Sequence, residues 1–153
     1  PNPPVHIMDA IDTLLKYHDT KLYHHLKALK VSPGVLGWTM LSNMFTEILS
    51  RSNWLKMMDR LICCFDQISI ILLAPVALMK ELKSVLLTCD TSAQVTLLLR
   101  SQQNVNMITV CRIMSEWLRH TPPKYFSAVA TRHLDGKSTI YVNNYAYFFE
   151  LSI

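Results

Sequence analysis

At 153 residues and 17.6 kDa the chain is long enough for one domain with a real core, and a half-hydrophobic composition with only three glycines and 17% charged residues excludes the disordered classes. The net charge of +4 and pI near 9.0 do not make it a nucleic-acid binder, because Lys and Arg are scattered and no recognition-helix or RNA-binding signature interleaves them with aromatics. Four cysteines with no secretory signal ahead of them read as buried, reduced thiols of a cytosolic protein, the adjacent Cys63 and Cys64 pointing apart on a helix.

The chain opens on a proline-rich run in which Asn2 suits a cap and Pro3 a first helical position. Ile7, Met8, Ile11, Leu14 and Leu15 then form an amphipathic stripe, with Lys16 and His18 placed well for a helix C-terminus. Asp19 caps the next segment, which carries Leu22, Leu26 and Leu29. Ser32 followed by Pro33 opens a long helix in which Leu36, Met40, Leu41, Met44, Phe45, Ile48 and Leu49 share a buried face. Ser52 is expected to open a third helix, with Trp54, Leu55, Met58, Leu61 and Ile62 inward. Trp38, Trp54 and Trp117 are read as core rather than as interface anchors.

After Phe65-Asp66-Gln67 comes an apolar run, 68–79, broken only by Ser69 and Pro75. It is too short for a membrane span, which needs ~20 apolar residues. It is expected to be a central helix buried on most sides, bent at Pro75 and extended by Leu82–Leu87. Asp90 or Thr91 can cap a short helix through Val95, Leu98 and Leu99. Val105, Ile108, Cys111, Ser115 and Leu118 suggest one more, stopped by Thr121-Pro122-Pro123. From Lys124 the character changes: Asp135-Gly136 signals a turn, and an aromatic, β-prone tail from Tyr141 to Phe149 is read as irregular.

Polar chemistry is thin. His6, His18, His24 and His25 do not carry metal-ligand spacing, since His24 and His25 diverge by about 100° on a helix. No G-x-S-x-G elbow is present, and the three glycines form no phosphate loop. No cofactor or metal is expected.

The residue order is more telling than the periodicity. His18, Asp19, Leu22, His25 and Leu26, then Trp38, Leu41, Phe45, Glu47 and Leu49, then Trp54, Leu55 and Asp59, together resemble the C-terminal half of a TBC domain, the all-helical fold of Rab GTPase-activating proteins. Within that family the chain looks most like the WD-repeat-containing type associated with centrosomes and cilia. The features behind this are the PNPP run leading towards His18-Asp19, the E-x-L-x-R-x-x-W-L-K-x-x-D run from Glu47 to Asp59, and similar stretches from Arg112 to Pro122 and Ile140 to Phe149. Met58 stands where the family's W-D pair has tryptophan, so Asp59 is expected to make a local hydrogen bond or ion pair.

The resemblance implies an all-α fold: residues 1–89 as the C-terminal TBC lobe, 90–123 as helices packed on it, and 124–153 as an irregular tail or linker. Active TBC proteins supply an arginine from I-x-x-D-x-x-R and a glutamine from Y-x-Q, the former worth on the order of 10³ to 10⁵ in rate when supplied in trans. Here no tyrosine is followed two residues later by glutamine, and no aspartate has arginine three residues on. Both motifs belong to the N-terminal half of that fold, and the WD-repeat type this chain resembles is atypical in them, so the resemblance implies a non-catalytic scaffold for protein–protein interaction, small-GTPase binding included. The alternative is part of an active Rab GTPase-activating protein whose two fingers lie upstream. The resemblance also implies a cytoplasmic location at the centrosome, centriolar satellite or cilium base, centrosomal or ciliary protein partners, and WD-repeat and coiled-coil regions in a longer parent chain. A mean hydropathy of +0.20 fits a fragment whose apolar face meets another segment.

Overall fold

The computed structural model describes residues 4–64 and 67–130, and among them every regular element is helical. The order is α1 Val5–His18, α2 Thr20–Ala28, α3 Pro33–Ser42, α4 Arg51–Cys63, α5 Ser69–Glu81, α6 Lys83–Leu86, α7 Ser92–Leu99 and α8 Met107–His120, then a 3-10 turn Pro123–Phe126 and α9 Ser127–Ala130. The proline run before Pro4, the Phe65-Asp66 pair and the aromatic tail lie outside the described residues.

α5 sits at the centre. Ile70 and every residue from Leu72 to Met79 are buried, Pro75 included, and α1, α3 and α8 pack around it. A 13-residue helix covered this completely has no polar face, which explains why its sequence shows no amphipathic period. α1 contributes Ile7, Ala10, Ile11, Leu14 and Leu15 to the same core.

α1 and α3 cross in backbone contact. A Cβ on Gly34 would stand 2.3 Å from the carbonyl oxygen of Met8, and one on Gly37 would meet the Ile11 side chain at 2.8 Å. The crossing is fastened by Asp12 of α1, whose carboxylate accepts from Gly34 N–H (2.6 Å), Ser32 Oγ (3.4 Å) and Lys27 Nζ (3.0 Å). α3 thus has two acceptors at its positive end, the hydroxyl of its own Ser32 cap and a carboxylate from a neighbouring helix.

Several sequence expectations are corrected. The long helix through Leu49 stops at Ser42. Met44 and Phe45 turn left-handed (φ 48° and 60°), Phe45 N–H donates to Met40 O (2.8 Å) and Met44 N–H to Leu41 O (3.0 Å), the Schellman pattern of a helix end. α2 closes the same way through Lys30 (φ 59°), with Val31 N–H on Leu26 O. Neither stop has the glycine that normally marks it. The expected buried set mostly survives, since Met40, Leu41, Phe45, Ile48 and Leu49 are all buried, but two elements supply it and Met44 is exposed.

α4 is capped by Ser50 rather than Ser52, and it buries Met57, leaving Leu55 and Ile62 exposed. α8 keeps its period but is rotated by about one position: Met107, Val110 and Met114 face α5, and Ile108 is 80% exposed. α5 ends at Leu82 instead of running on to Leu87, and α6 is a separate single turn. Thr91, not Asp90, caps α7, through a reciprocal capping box with Gln94. Of the four thiols only Cys89 is buried, and Cys63 is exposed.

The α1–α3 crossing can be tested by adding one methyl group. Alanine usually gains ~1 kcal/mol over glycine inside a helix, yet Gly34→Ala should lose about 2–3 kcal/mol, because the obstacle is backbone and cannot rotate away. Gly37→Ala meets a side chain and should lose less. Urea midpoints of the two variants decide it, and an unchanged Gly34→Ala midpoint would contradict the close crossing.

Candidate functional site

The family-motif residues fall into two groups and one outlier. His18, Asp19, Leu22 and Leu26 gather at the α1–α2 junction; Trp38, Phe45 and Trp54 line the corner between α3 and α4; Asp59 stands apart, exposed and with no ion pair or hydrogen bond among the described residues. The local side-chain interaction expected of Asp59 is not present among the described residues.

Asp19 does two jobs at one residue. Its backbone ends α1, donating to Leu15 O (2.8 Å), and its side chain starts α2 by accepting from Leu22 N–H (3.0 Å). Only 5% of the residue reaches solvent. A bare buried carboxylate would be costly, and here two ammonium groups answer it: Lys80 Nζ at 2.5 Å, and Lys83 Nζ at 2.7 and 2.9 Å from its two oxygens. Burial by itself pushes the Asp19 carboxyl up. The Lys80 and Lys83 hydrogen bonds, with the Leu22 N–H and the Lys80 charge, overcome it and hold the group at about 2.

His18, one residue earlier, faces α8. Its ring stacks on Trp117 with centroids 3.9 Å apart and planes at 14°, and Tyr17 meets the ring edge-on. Nε2 lies 2.8 Å from the hydroxyl of Thr121, a buried residue. Burial and then the nearby Lys80 charge lower the imidazole from 6.5 to about 4, so it is neutral near pH 7. His25 has a different task. Its Nε2 is 3.1 Å from both Leu86 O and Cys89 O; two carbonyls can only accept, so this nitrogen carries the proton and donates to both. α2 is thereby tied to the chain leaving α6.

At the α3–α4 corner the Trp54 indole N–H donates to Met44 O (2.8 Å), catching a carbonyl that the helix end releases. Phe45 is 2% exposed, whereas Trp38 and Trp54 are half-buried against the core. Ile48 O accepts from Gln103 N–H (3.0 Å), which draws the loop before α8 onto the corner.

Sequence reasoning missed Lys80, Lys83, Trp117 and Thr121 as partners of this junction. One signal was present: Lys80 at the end of the buried α5 and Lys83 at the start of α6 stand directly after a fully apolar run, where they can answer a buried acid. Chemically, the junction has no spare capacity. The Asp19 oxygens are occupied by lysines of its own fold, and His18 is neutral and engaged. Among the described residues no three of His, Cys, Asp or Glu gather as a metal site, and no helix is long and apolar enough to cross a membrane.

The chain is similar to curated proteins called TBC1 domain family member 31. It is 28% identical over 122 residues to the one from Pongo abelii, covering 80% of this chain and 13% of that protein. Against the Homo sapiens protein it is 27% identical over 122 residues, 80% and 11% of the two chains. Against the Xenopus tropicalis protein it is 33% identical over 90 residues, 59% and 8%. The chain therefore spans about an eighth or less of the length of the curated relatives it matches. No family model and no solved structure matches it.

The two shifted groups of the junction separate on the pH axis. The His18 imidazole is lowered on folding, so the unfolded chain takes up its proton first and stability falls as pH drops from 6.5 towards 4. The Asp19 carboxyl is lowered too, so its contribution is complete above the unfolded value of 3.8 and is lost as pH falls towards 2. At ~1.4 kcal/mol per unit, the upper window should be worth up to about 3.5 kcal/mol and the lower up to about 2.5 kcal/mol. His18→Gln should flatten the upper window and Asp19→Asn the lower. Urea unfolding from pH 7 to pH 2 measures both, and a single slope unaffected by either change would refute the assignment.

Proposed function

From this distant homology to TBC1 domain family member 31 we propose that the chain is a non-catalytic TBC-type helical scaffold for protein–protein interaction, small-GTPase binding included, in organising the centrosome or cilium. The observation that carries the reading is the disposition of the motif charges: Asp19 is spent inside the fold, and the neutral His18 braces α8. A site for accelerating GTP hydrolysis must present a cation and a water-orienting amide outward. His18, Asp19, Leu22, His25, Leu26, Phe45 and Trp54, among the residues that carry the family likeness, do structural work instead.

This chain carries neither finger motif and so supplies neither group itself. None of the arginines follows an aspartate at the required spacing, and no tyrosine precedes a glutamine by two. The C-terminal lobe of a TBC domain, a cytoplasmic site at the centrosome, centriolar satellite or cilium base, and a parent chain with WD repeats and coiled coil are parts of this reading that come from the resemblance.

Full-length parent protein assayed against a panel of GTP-loaded Rab proteins, with binding measured in parallel, tests it. Expected are hydrolysis rates within about twofold of the intrinsic rate, against the ~10³-fold or more that a supplied arginine gives, whether or not a complex forms. A large acceleration would overturn the proposal in favour of an active enzyme with its fingers elsewhere in the chain.

A further inference from the structure

α3 ends early, and the corner that follows peels away from it instead of continuing its line. This leaves an open cleft between α3, the corner and α7. Its floor is apolar, from Leu36, Met40, Phe45, Ile48 and Leu99, and Val35 stands at its edge half exposed. Two charged side chains also line it, Glu47 from the corner and Arg100 from the end of α7. Both are exposed, and neither has a side-chain hydrogen bond or ion pair among the described residues.

Size narrows the occupant. The volume is about 160 Å³, below the ~300 Å³ at which sites for cofactors and small molecules begin. It amounts to roughly five waters at ~30 Å³ each, but the floor offers a water few polar partners. One leucine- or phenylalanine-sized side chain fits. The surroundings are helical with no sheet edge among the described residues, so an added strand has nothing to pair with, and an apolar groove between helices suits a helix laying in one knob. The rim then sets the flanking charges: a base beside Glu47 and an acid beside Arg100.

We infer that the cleft between α3 and α7 is a docking site for an amphipathic helix of another protein, which inserts one large apolar side chain between a basic and an acidic residue. This rests on the reading of the chain as an interaction scaffold and gives that scaffold a place and a partner chemistry.

The probe is a synthetic alanine-based helical peptide with one leucine, a lysine one turn to one side of it and a glutamate one turn to the other. It is titrated into the 153-residue chain carrying ¹³C-methyl methionine. The Met40 methyl, in the cleft floor, should shift saturably, and the same peptide with leucine replaced by alanine should not move it. Arg100→Glu should weaken binding roughly two- to fivefold, as expected for one exposed ion pair, and a peptide with lysine on both sides should recover it. Three results would overturn the inference: no saturable shift, an equal response to the alanine peptide, or indifference to the charge exchange. A Met40 shift that follows protein concentration alone, with doubled mass by light scattering, would assign the cleft to a second copy and overturn it as well. None of these touches the broader scaffold reading, which stands or falls with the Rab assay.

Discussion

A carboxylate with almost no water around it cannot stay ionised unless cations reach it, and the described part of this protein is arranged so that two do. Asp19 sits where α1 becomes α2, while Lys80 lies at the end of the central helix and Lys83 at the start of α6. Removing one partner from such a buried cluster leaves the others uncompensated, at a cost of several kcal/mol. The ionic contact therefore fixes more than distance. It sets the register of α5 against the α1–α2 elbow, and the elbow in turn delivers His18 to Trp117 and His25 to the carbonyls beyond α6. Two regions far from the elbow in sequence, 80–89 and 117–121, are held by side chains from eight consecutive residues.

How far this was legible in the sequence depended on whether a local signal existed. Caps with a hydroxyl or carboxylate were readable, and Asp19, Ser32 and Thr91 each do what their chemistry suggests. Helix ends without glycine were not: Met44 and Lys30 adopt left-handed backbone because tertiary burial of Phe45 and Val31 outweighs the local penalty. Periodicity gave the right set of core residues on α3 and the right repeat on α8. It could not set the phase of α8, whose inward face depends on what α5 offers. Long-range polar partners left the weakest trace, since nothing local ties Thr121 to a histidine 103 positions earlier.

The likeness to TBC1 domain family member 31 gains physical content from these placements. His18, Asp19, Leu22, His25 and Leu26 are consecutive contact points of one elbow, and Phe45 and Trp54 share another corner. Spacing of this kind reflects how helices brace one another, and a likeness near 28% identity does not by itself imply a shared reaction. Asp59, exposed and unpaired among the described residues, is the motif residue that packing does not explain.

The left-handed corner after α3 has a thermodynamic corollary. Asn43, Phe45, Glu47 and Ile48 belong both to that strained turn and to the wall of the α3–α7 cleft. Local opening of the turn and loss of the cleft are consequently one event. Any molecule seated in the cleft must, by mass action, slow amide exchange along 43–49 in proportion to its occupancy. The corner thus doubles as a built-in gauge of whether the protein is engaged, readable without knowing what engages it.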